Sequence, residues 1–468
     1  MKIVLTGATG FIGHELGIAL ARDGHTLTVL ARNVDRARLD IPFPAEIAHW
    51  DPAGSEAQAI LANLLAGADA VINLAGEPIQ TKGWSSKRIQ DLTESRVATT
   101  SAIVAATRAL GGRAPKVHIN ASAIGFYGSA SDLDAPALNE SSPSGQGILS
   151  DICRAWEDAL ALGTDEATVR RVALRIGVVL GRHGGMMREV LPIFRRGGGG
   201  RLGSGRQWLS WIHVADVVRM MQWALATSSV RGVLNATAPK PARNVDFTAA
   251  LAKTLRRLAI LPAPSLAIRI GLGKRSELLL GSTRVAPERA IAGGFQFRFA
   301  SLDSALTDIC GDDVERGIDE LNVRQWVTAP LDKVVPFFQD EKNLERLTPA
   351  MLNFKVLSKS TPQIQEGTLI DYRLRIRGVP ARWRTLIKDW DPPRKFVDTQ
   401  LKGPYRLWHH THLFETLGNG TLLTDRVQFK LPMGILGDLA AGWLVRGDVS
   451  KIFAHRKTVA RELFGGNK

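Results

Sequence analysis

Gly7, Gly10 and Gly13 follow a β-branched run and open a helical pattern. That G-x-x-G-x-x-G spacing lets the chain turn tightly and bring backbone N–H groups close to a pyrophosphate. The N-terminus of the following helix then favours the anion. The implied chemistry is dinucleotide binding by the turn that carries Gly7, Gly10 and Gly13. The next β-like run ends in Val29-Leu30-Ala31-Arg32-Asn33. An NAD-selective site carries an acid there, whereas this chain carries Arg32, with Arg36 a turn later and Asp35 between them. Guanidinium suits a ribose 2′-phosphate, so NADP(H) is the expected cofactor; the alternative is that both arginines are simply solvated. His14, His183 and His213 show no metal spacing. His410 and His412 alternate onto one strand face without a third ligand at suitable spacing, so no metal site is expected.

A glycine turn of this kind needs a parallel sheet behind it. Residues 2–6, 26–31, 70–74 and 116–121 read as buried parallel strands, separated by helical stretches such as 11–22 and 93–110. The alternation predicts an α/β, Rossmann-type, doubly wound parallel sheet. Residues 172–180 read as a further strand, 195–206 as a Gly-rich loop, and 235–241 and 281–299 as a smaller, less regular lobe. Near residue 318 the pattern changes. Residues 322–328, 368–377, 381–390, 396–401, 408–416 and 420–430 read as six strands, and 435–464 as one long amphipathic helix. The expected domains are a nucleotide domain over 1–235, a substrate lobe over 236–310 and an α+β domain over 315–468.

The formal charge of +15 raises the question of nucleic acid. The basic residues are scattered, however, with no helix-turn-helix signature, zinc-finger spacing or long basic block. An ordinary basic surface and no nucleic-acid partner are expected. A hydrophobic content of 45% excludes wholesale disorder, and no apolar run is long enough for an integral membrane span. Met1-Lys2-Ile3-Val4-Leu5 does not open a secretory leader, and Cys153 and Cys310 cannot build a disulfide framework. The cytoplasm is the expected compartment.

GATGFIG, the stretch from Val71 to Pro78, ASAIGFYG, LRIGVVLG and LGSGRQWLSWIHVADV together resemble the extended short-chain dehydrogenase/reductase superfamily, and within it an atypical, epimerase-like branch. The likeness runs to about residue 300, where 284–297 resembles that branch's C-terminal extension. It implies that Gly7, Gly10, Phe11, Ile12 and Gly13 line the pyrophosphate, that Asn73, Leu74, Ala75 and Gly76 lie beside the cofactor ribose and that Ser122 is the active-site serine. It also implies that 175–180 supports the nicotinamide side and that 197–211, with His213 and Asp216, forms a substrate-side segment. Asp216 equally suits an N-cap or first-turn carboxylate.

Members that do hydride chemistry carry Tyr-x-x-x-Lys on the helix after the serine strand, to transfer a proton and hold the ribose. The matching places hold Leu149 and Cys153, which can do neither. Tyr127 is the first substitute as proton donor; Glu77 is a candidate base or ribose ligand, and Lys82 and Arg88 lie on the following stretch. Each is equally readable as a surface or packing residue. Cys153 reads as a buried small hydrophobe. Two function classes stay open: an NADP(H)-dependent oxidoreductase or epimerase acting on a small molecule, and a non-catalytic module that senses NADP(H). Oligomeric state is not readable.

In the last third, N-L-x-x-L-T-P at 343–349 and W-H-x-T-H-x-F at 408–414 resemble the START-like, polyketide-cyclase-like ligand-binding superfamily. The resemblance implies a helix-grip fold, in which a curved antiparallel sheet grips a long C-terminal helix, and an apolar ligand. Trp383, Phe396, Tyr405, Trp408, Phe414 and Phe453 are candidate lining or plain core. In the closing helix, Leu436, Leu439, Ala440, Trp443 and Leu444 repeat at helical spacing; a kink or close approach is expected at Gly437, Gly442 or Gly447.

Overall fold

The computed structural model describes residues 1–162, 169–311, 313–315, 317–432 and 434–467, without the side chains of 435, 436 and 438–440. Leu436, Leu439 and Ala440 of the closing repeat, and Asp312 at the expected boundary, therefore lie outside the described residues. The chain forms two compact units, Met1–Val34 with Glu46–Asp312, and Asp35–Ala45 with Asp313–Lys468. The segment expected as a substrate lobe lies within the first unit, and the second takes in an eleven-residue piece from early in the chain.

In the first unit, the continuous apolar runs become β1 (Lys2–Thr6), β2 (Thr26–Ala31), β3 (Glu46–His49), β4 (Ala70–Asn73), β5 (Val117–Ala123) and β6 (Arg170–Ile176). Three short strands follow, β7 (Val178–Gly181), β8 (Trp208–Leu209) and β9 (Trp211–His213), then β10 (Gly232–Ala236) and β11 (Ala242–Arg243). The main sheet is parallel throughout, in the order β10-β6-β5-β4-β1-β2-β3. Successive strands diverge on either side of β1 and β4, which opens a crevice at their C-terminal ends. The strand expected over 172–180 divides. The chain leaves the main sheet at Gly177, where only a residue without Cβ fits, since a Cβ would lie 2.5 Å from the Ser210 carbonyl oxygen. β7 then pairs with β9 instead.

The second unit is one antiparallel sheet of seven strands: β12 (Asp319–Val327), β13 (Lys355–Lys359), β14 (Leu369–Ile376), β15 (Val379–Asp391), β16 (Lys395–Lys402), β17 (Leu407–Leu417) and β18 (Gly420–Lys430). Their order is β12-β18-β17-β16-β15-β14-β13. The six expected strands are present, and β13 adds an edge strand. Leu374 is buried while Arg373 and Arg375 are exposed, as period-two alternation requires. The helix Ile435–Phe464 lays Val449, Phe453 and Ala460 on the sheet. Its Gly437 stands where a Cβ would meet the Pro432 carbonyl oxygen at 2.1 Å, the close approach expected of one of the three glycines. Among the described residues no helix is long and apolar enough to cross a membrane.

Candidate functional site

β1 delivers Gly7 to the crevice with φ +69°, a conformation that L side chains avoid. A Cβ there would fall 2.5 Å from the Leu74 carbonyl carbon. Gly10 precedes the helix Phe11–Arg22 without any side-chain cap, so the first-turn N–H groups remain available to an anion. Gly13 presses that helix onto the turn, since its Cβ would lie 2.4 Å from the Gly7 oxygen. Ile12 is half-buried beside it. Phe11 turns its ring onto the loop after β7, where a Cβ at Gly181 or Gly184 would come within 2.5 or 2.2 Å of the ring. The cradle therefore fits a dinucleotide pyrophosphate.

Across the crevice, Asn73 ends β4 fully buried. It accepts from Thr6 Oγ1 at 2.6 Å and from the Ala75 N–H at 3.2 Å, and donates to Asn120 Oδ1 at 2.6 Å and Thr100 Oγ1 at 3.0 Å. One side chain thus fixes β1, β4, β5 and the helix Ser86–Leu110, and with them the course of Leu74, Ala75 and Gly76. Glu77 follows, 3.3 Å from Arg32 Nη2 and 3.2 Å from Arg88 Nη1. Burial pushes its carboxyl up, but the hydrogen bonds of Arg88 and Arg32 outweigh this and hold it below the usual range. Glu77 is thus an engaged anion. Lys82 is exposed on the loop beyond. Arg36 lies on the helix Val34–Asp40, 3.3 Å from Asp40, in the segment that groups with the second unit.

Ser122 and Tyr127 belong to one buried network. Ser122 Oγ donates to Glu157 Oε1 at 2.6 Å. Arg175 grips the same carboxylate twice, Nε to Oε1 at 2.9 Å and Nη2 to Oε2 at 2.7 Å, and donates from Nη1 to the Tyr127 hydroxyl at 2.9 Å. The single phenolic proton has two acceptors within reach, Asn235 Oδ1 at 2.7 Å and the Asn139 carbonyl at 2.9 Å. Arg175 also lies 3.4 Å from the centre of the Phe126 ring. Burial raises the Tyr127 pKa, and Arg175 and Asn235 offset this only in part. The helix Ile148–Leu160 packs against the turn after Ser122 at the expected places: a Cβ on Gly125 would lie 3.1 Å from Leu149 Cβ and 3.5 Å from Cys153 Sγ. Burial, helped by the Glu157 charge, pushes the Cys153 thiol up to about 12. Glu157 and Asn235 were not singled out from the sequence. The available signal was Arg175, a lone charge inside the apolar run Val172-Ala173-Leu174-Arg175-Ile176, which required a buried partner.

On the lobe side, Arg243 and Arg284 lie 4.4 and 4.5 Å from the Trp208 ring centre, and Trp208 Nε1 donates to the Leu133 carbonyl at 2.7 Å. His213 caps the helix Val214–Ala226 through the Ala215 N–H and faces Asp308 at 3.3 Å. Asp216 sits in the first turn of that helix. Its carboxylate accepts the backbone N–H groups of Arg298 and Phe299 at 2.8 and 2.9 Å, a structural use.

The second unit holds its own polar cluster. His410 stands between two carboxylates, Nδ1 at 3.0 Å from Asp398 Oδ2 and Nε2 at 3.0 Å from Asp425 Oδ1. His412 faces the same two oxygens at 3.0 and 3.1 Å, and Arg456 Nη2 approaches its Nδ1 at 3.1 Å. Register supplies the partners that sequence spacing lacked, because Asp398 pairs with His410 across β16–β17 and Asp425 with His412 across β17–β18. Donor atoms of Asp398, His410 and His412 lie within 4.8 Å of one another, a set able to hold a metal ion. An ion there would have to displace the His410 protons and rearrange the Arg456 contact. Burial lowers both histidines; at His410 the two carboxylates outweigh it and raise the pKa, whereas at His412 the neighbouring His410 and Arg456 keep it lowered. The two carboxylates thus favour the charged form of His410, while His410 and Arg456 favour the neutral form of His412.

Comparison with known proteins accounts for the first unit. Residues 3–236 match the NAD dependent epimerase/dehydratase family, and residues 263–309 match a domain of unknown function. The chloroplastic epimerase family protein SDR39U1 homolog of Arabidopsis thaliana is 38% identical over 66% of this chain and 86% of its own length. The human epimerase family protein SDR39U1 is 35% identical over 66% of this chain and 99% of its own. A crystal structure of the human protein (isoform 2) with NADPH superposes with a TM-score of 0.59 at 33% identity, covering 67% of this chain and all of that one. A nucleoside-diphosphate sugar epimerase from Corynebacterium glutamicum gives 0.52 at 29% identity, over 66% of this chain and 58% of that chain. With its glycine cradle, its parallel sheet and these relatives, the chain belongs to the NAD dependent epimerase/dehydratase family.

Proposed function

We propose that this chain is an NADP(H)-dependent oxidoreductase or epimerase of the atypical extended short-chain dehydrogenase/reductase type, acting on a small alcohol, ketone or sugar-like molecule. The observation that carries the reading is the cradle of Gly7, Gly10 and Gly13, closed to any Cβ at Gly7 and open to an anion at the helix start. The human relative crystallised with NADPH supports the choice of cofactor. When bound, NADP(H) supplies or accepts hydride at the nicotinamide. Phe11, Ile12 and the three glycines hold the pyrophosphate, while Asn73 to Glu77, with Lys82, border the ribose. Arg32 meets the 2′-phosphate by leaving Glu77, an exposed pair worth under about 1 kcal/mol. Arg36, in the segment that groups with the second unit, is left out of this assignment. Ser122 and Tyr127 are the proposed proton-handling pair. Burial keeps Tyr127 protonated, so it acts as donor, and Arg175 steadies the phenolate left behind.

A second reading, cofactor sensing without turnover, is favoured by the fact that both hydroxyls already make buried hydrogen bonds. Titration with NADPH and NADH, beside NADPH oxidation against a carbonyl library, separates the two. Turnover that Tyr127→Phe abolishes supports the enzyme; tight binding with no turnover supports the sensor. Arg32→Glu is expected to weaken NADPH by roughly tenfold or more, and equal native affinity for both cofactors overturns the cofactor assignment.

For the second unit we infer a START-like helix-grip domain that takes an apolar ligand. The antiparallel sheet with one long helix against it supports this reading. Trp383, Tyr405 and Trp408 pack ring on ring at 5.0–5.5 Å, and Phe396 packs on Phe414 at 5.9 Å, so an entering ligand must part them. Displacement of a lipophilic dye from the full chain tests it.

A further inference from the structure

We propose that residues 253–276 form a docking surface for an anionic lipid bilayer. Leu258, Ile260, Leu261, Leu266 and Ile270 are 59–77% exposed. Single exposed aliphatic residues are ordinary, but five within so short a stretch make a patch that needs a partner. They are presented from a fixed support. The Leu261 and Ala263 N–H groups donate to the Gly199 and Arg201 carbonyls at 3.3 and 3.0 Å, and the Gly203 N–H donates to the Ala263 carbonyl at 2.8 Å. Gly200 is required beneath them, since its Cβ would overlap the Leu261 carbonyl. On the helix Ser265–Leu272, buried Ile268 anchors the inner side, while Leu266 and Ile270, four residues apart, share an outer face with Arg269.

Charge selects the occupant. From residue 253 to 276 the sequence carries Lys253, Arg256, Arg257, Arg269, Lys274 and Arg275 and no Asp or Glu. Aliphatic side chains interspersed along the chain with Lys and Arg suit a bilayer surface, where the apolar groups enter the headgroup boundary and the cations meet lipid phosphates. A second copy docked face to face would set these cations against one another. Nucleic acid is disfavoured because the stretch contains no aromatic side chain on which bases could stack.

Cosedimentation of the full chain with vesicles tests the proposal. Binding is expected to phosphatidylcholine–phosphatidylglycerol vesicles and not to phosphatidylcholine alone, and it should weaken as salt rises. The double variant Leu266→Asp/Ile270→Asp should lose about tenfold or more in vesicle affinity. Arg256→Glu/Arg269→Glu should lose a comparable amount. Both change exposed side chains, and an unaltered urea midpoint verifies that each is folded. Failure of the native chain to bind the anionic vesicles overturns the proposal. So does undiminished vesicle binding by a folded Leu266→Asp/Ile270→Asp variant, which would leave a purely electrostatic surface such as nucleic acid would use. A concentration-dependent dimer that this variant dissolves, in a chain that ignores vesicles, assigns the patch to a second copy instead.

Discussion

Each unit of this protein buries an arginine beside carboxylate, yet the two clusters are built for different conditions. In the first, Arg175 is matched by one carboxylate, Glu157, and the remaining partners are the neutral hydroxyls of Ser122 and Tyr127. None of these is an imidazole, the side chain that changes charge near neutrality. In the second, Arg456 lies against the Asp425 carboxylate and the His412 imidazole, the His410 and His412 rings are tilted against each other with centres 3.8 Å apart, and Asp398 faces both histidines. The same problem, a guanidinium withdrawn from water, is solved once with a fixed charge pair and once with a set whose balance depends on a histidine proton.

The largest test of this contrast removes the fixed pair. Glu157→Ala leaves Arg175 buried without its counter-ion and should cost about 3–5 kcal/mol in urea unfolding. The difference from the native protein should stay constant between about pH 6 and 8; a strong slope would mean that the two clusters do not differ as described. Next comes the proton on His410. Its folded pKa lies above the ordinary 6.5, so the folded state binds more protons than the unfolded one. The stability it contributes is fully present below 6.5 and lost as pH rises through the folded value. His412, lowered from 6.5, behaves oppositely: its contribution is lost as pH falls below 6.5. His410→Gln should therefore cost most in acid and progressively less towards alkaline pH. An equal cost at every pH would place His410 among the uncharged groups. The smallest effect is expected at Tyr127→Phe, which deletes one hydroxyl and should cost about 1 kcal/mol in unfolding. A loss several times larger would make Tyr127, rather than Glu157, the main partner of Arg175.

Only part of each cluster was legible in the sequence, Ser122 and Tyr127 in the first and the shared face of His410 and His412 in the second, and the reason the partners were not is geometric. Tyr127 meets Asn235 from 108 residues away, and Asp398 and Asp425 reach the histidines only through cross-strand register. Spacing along the chain carries no record of either. What could be read was whatever the local backbone demands. The glycine turn needs residues without Cβ, and β1 and β2 are continuous apolar runs whose limits came out as expected. Among the strands not expected, β3, β10 and β13 are short, and each ends its sheet. Glu46-Ile47-Ala48-His49 and Lys355-Val356-Leu357-Ser358-Lys359 carry polar ends and too few apolar positions to set a period. At Gly177 the apolar pattern runs on unbroken while the backbone changes sheets, so hydrophobicity alone joined two strands into one.

The ring of Phe11 resting over Gly181 and Gly184 has an evolutionary consequence. Residues about 170 positions apart are held to a joint choice: a side chain can appear at 181 or 184 only after the residue at 11 shrinks. A smaller residue at 11 would in turn free Gly184 to drift, whereas a Cβ at Gly181 would still meet Val214 Cγ1 at 2.9 Å. Among descendants of a common ancestor positions 11 and 184 should therefore change together or remain as they are. A chain that broke the pattern would have to reroute the loop after β7 to keep its pyrophosphate cradle closed.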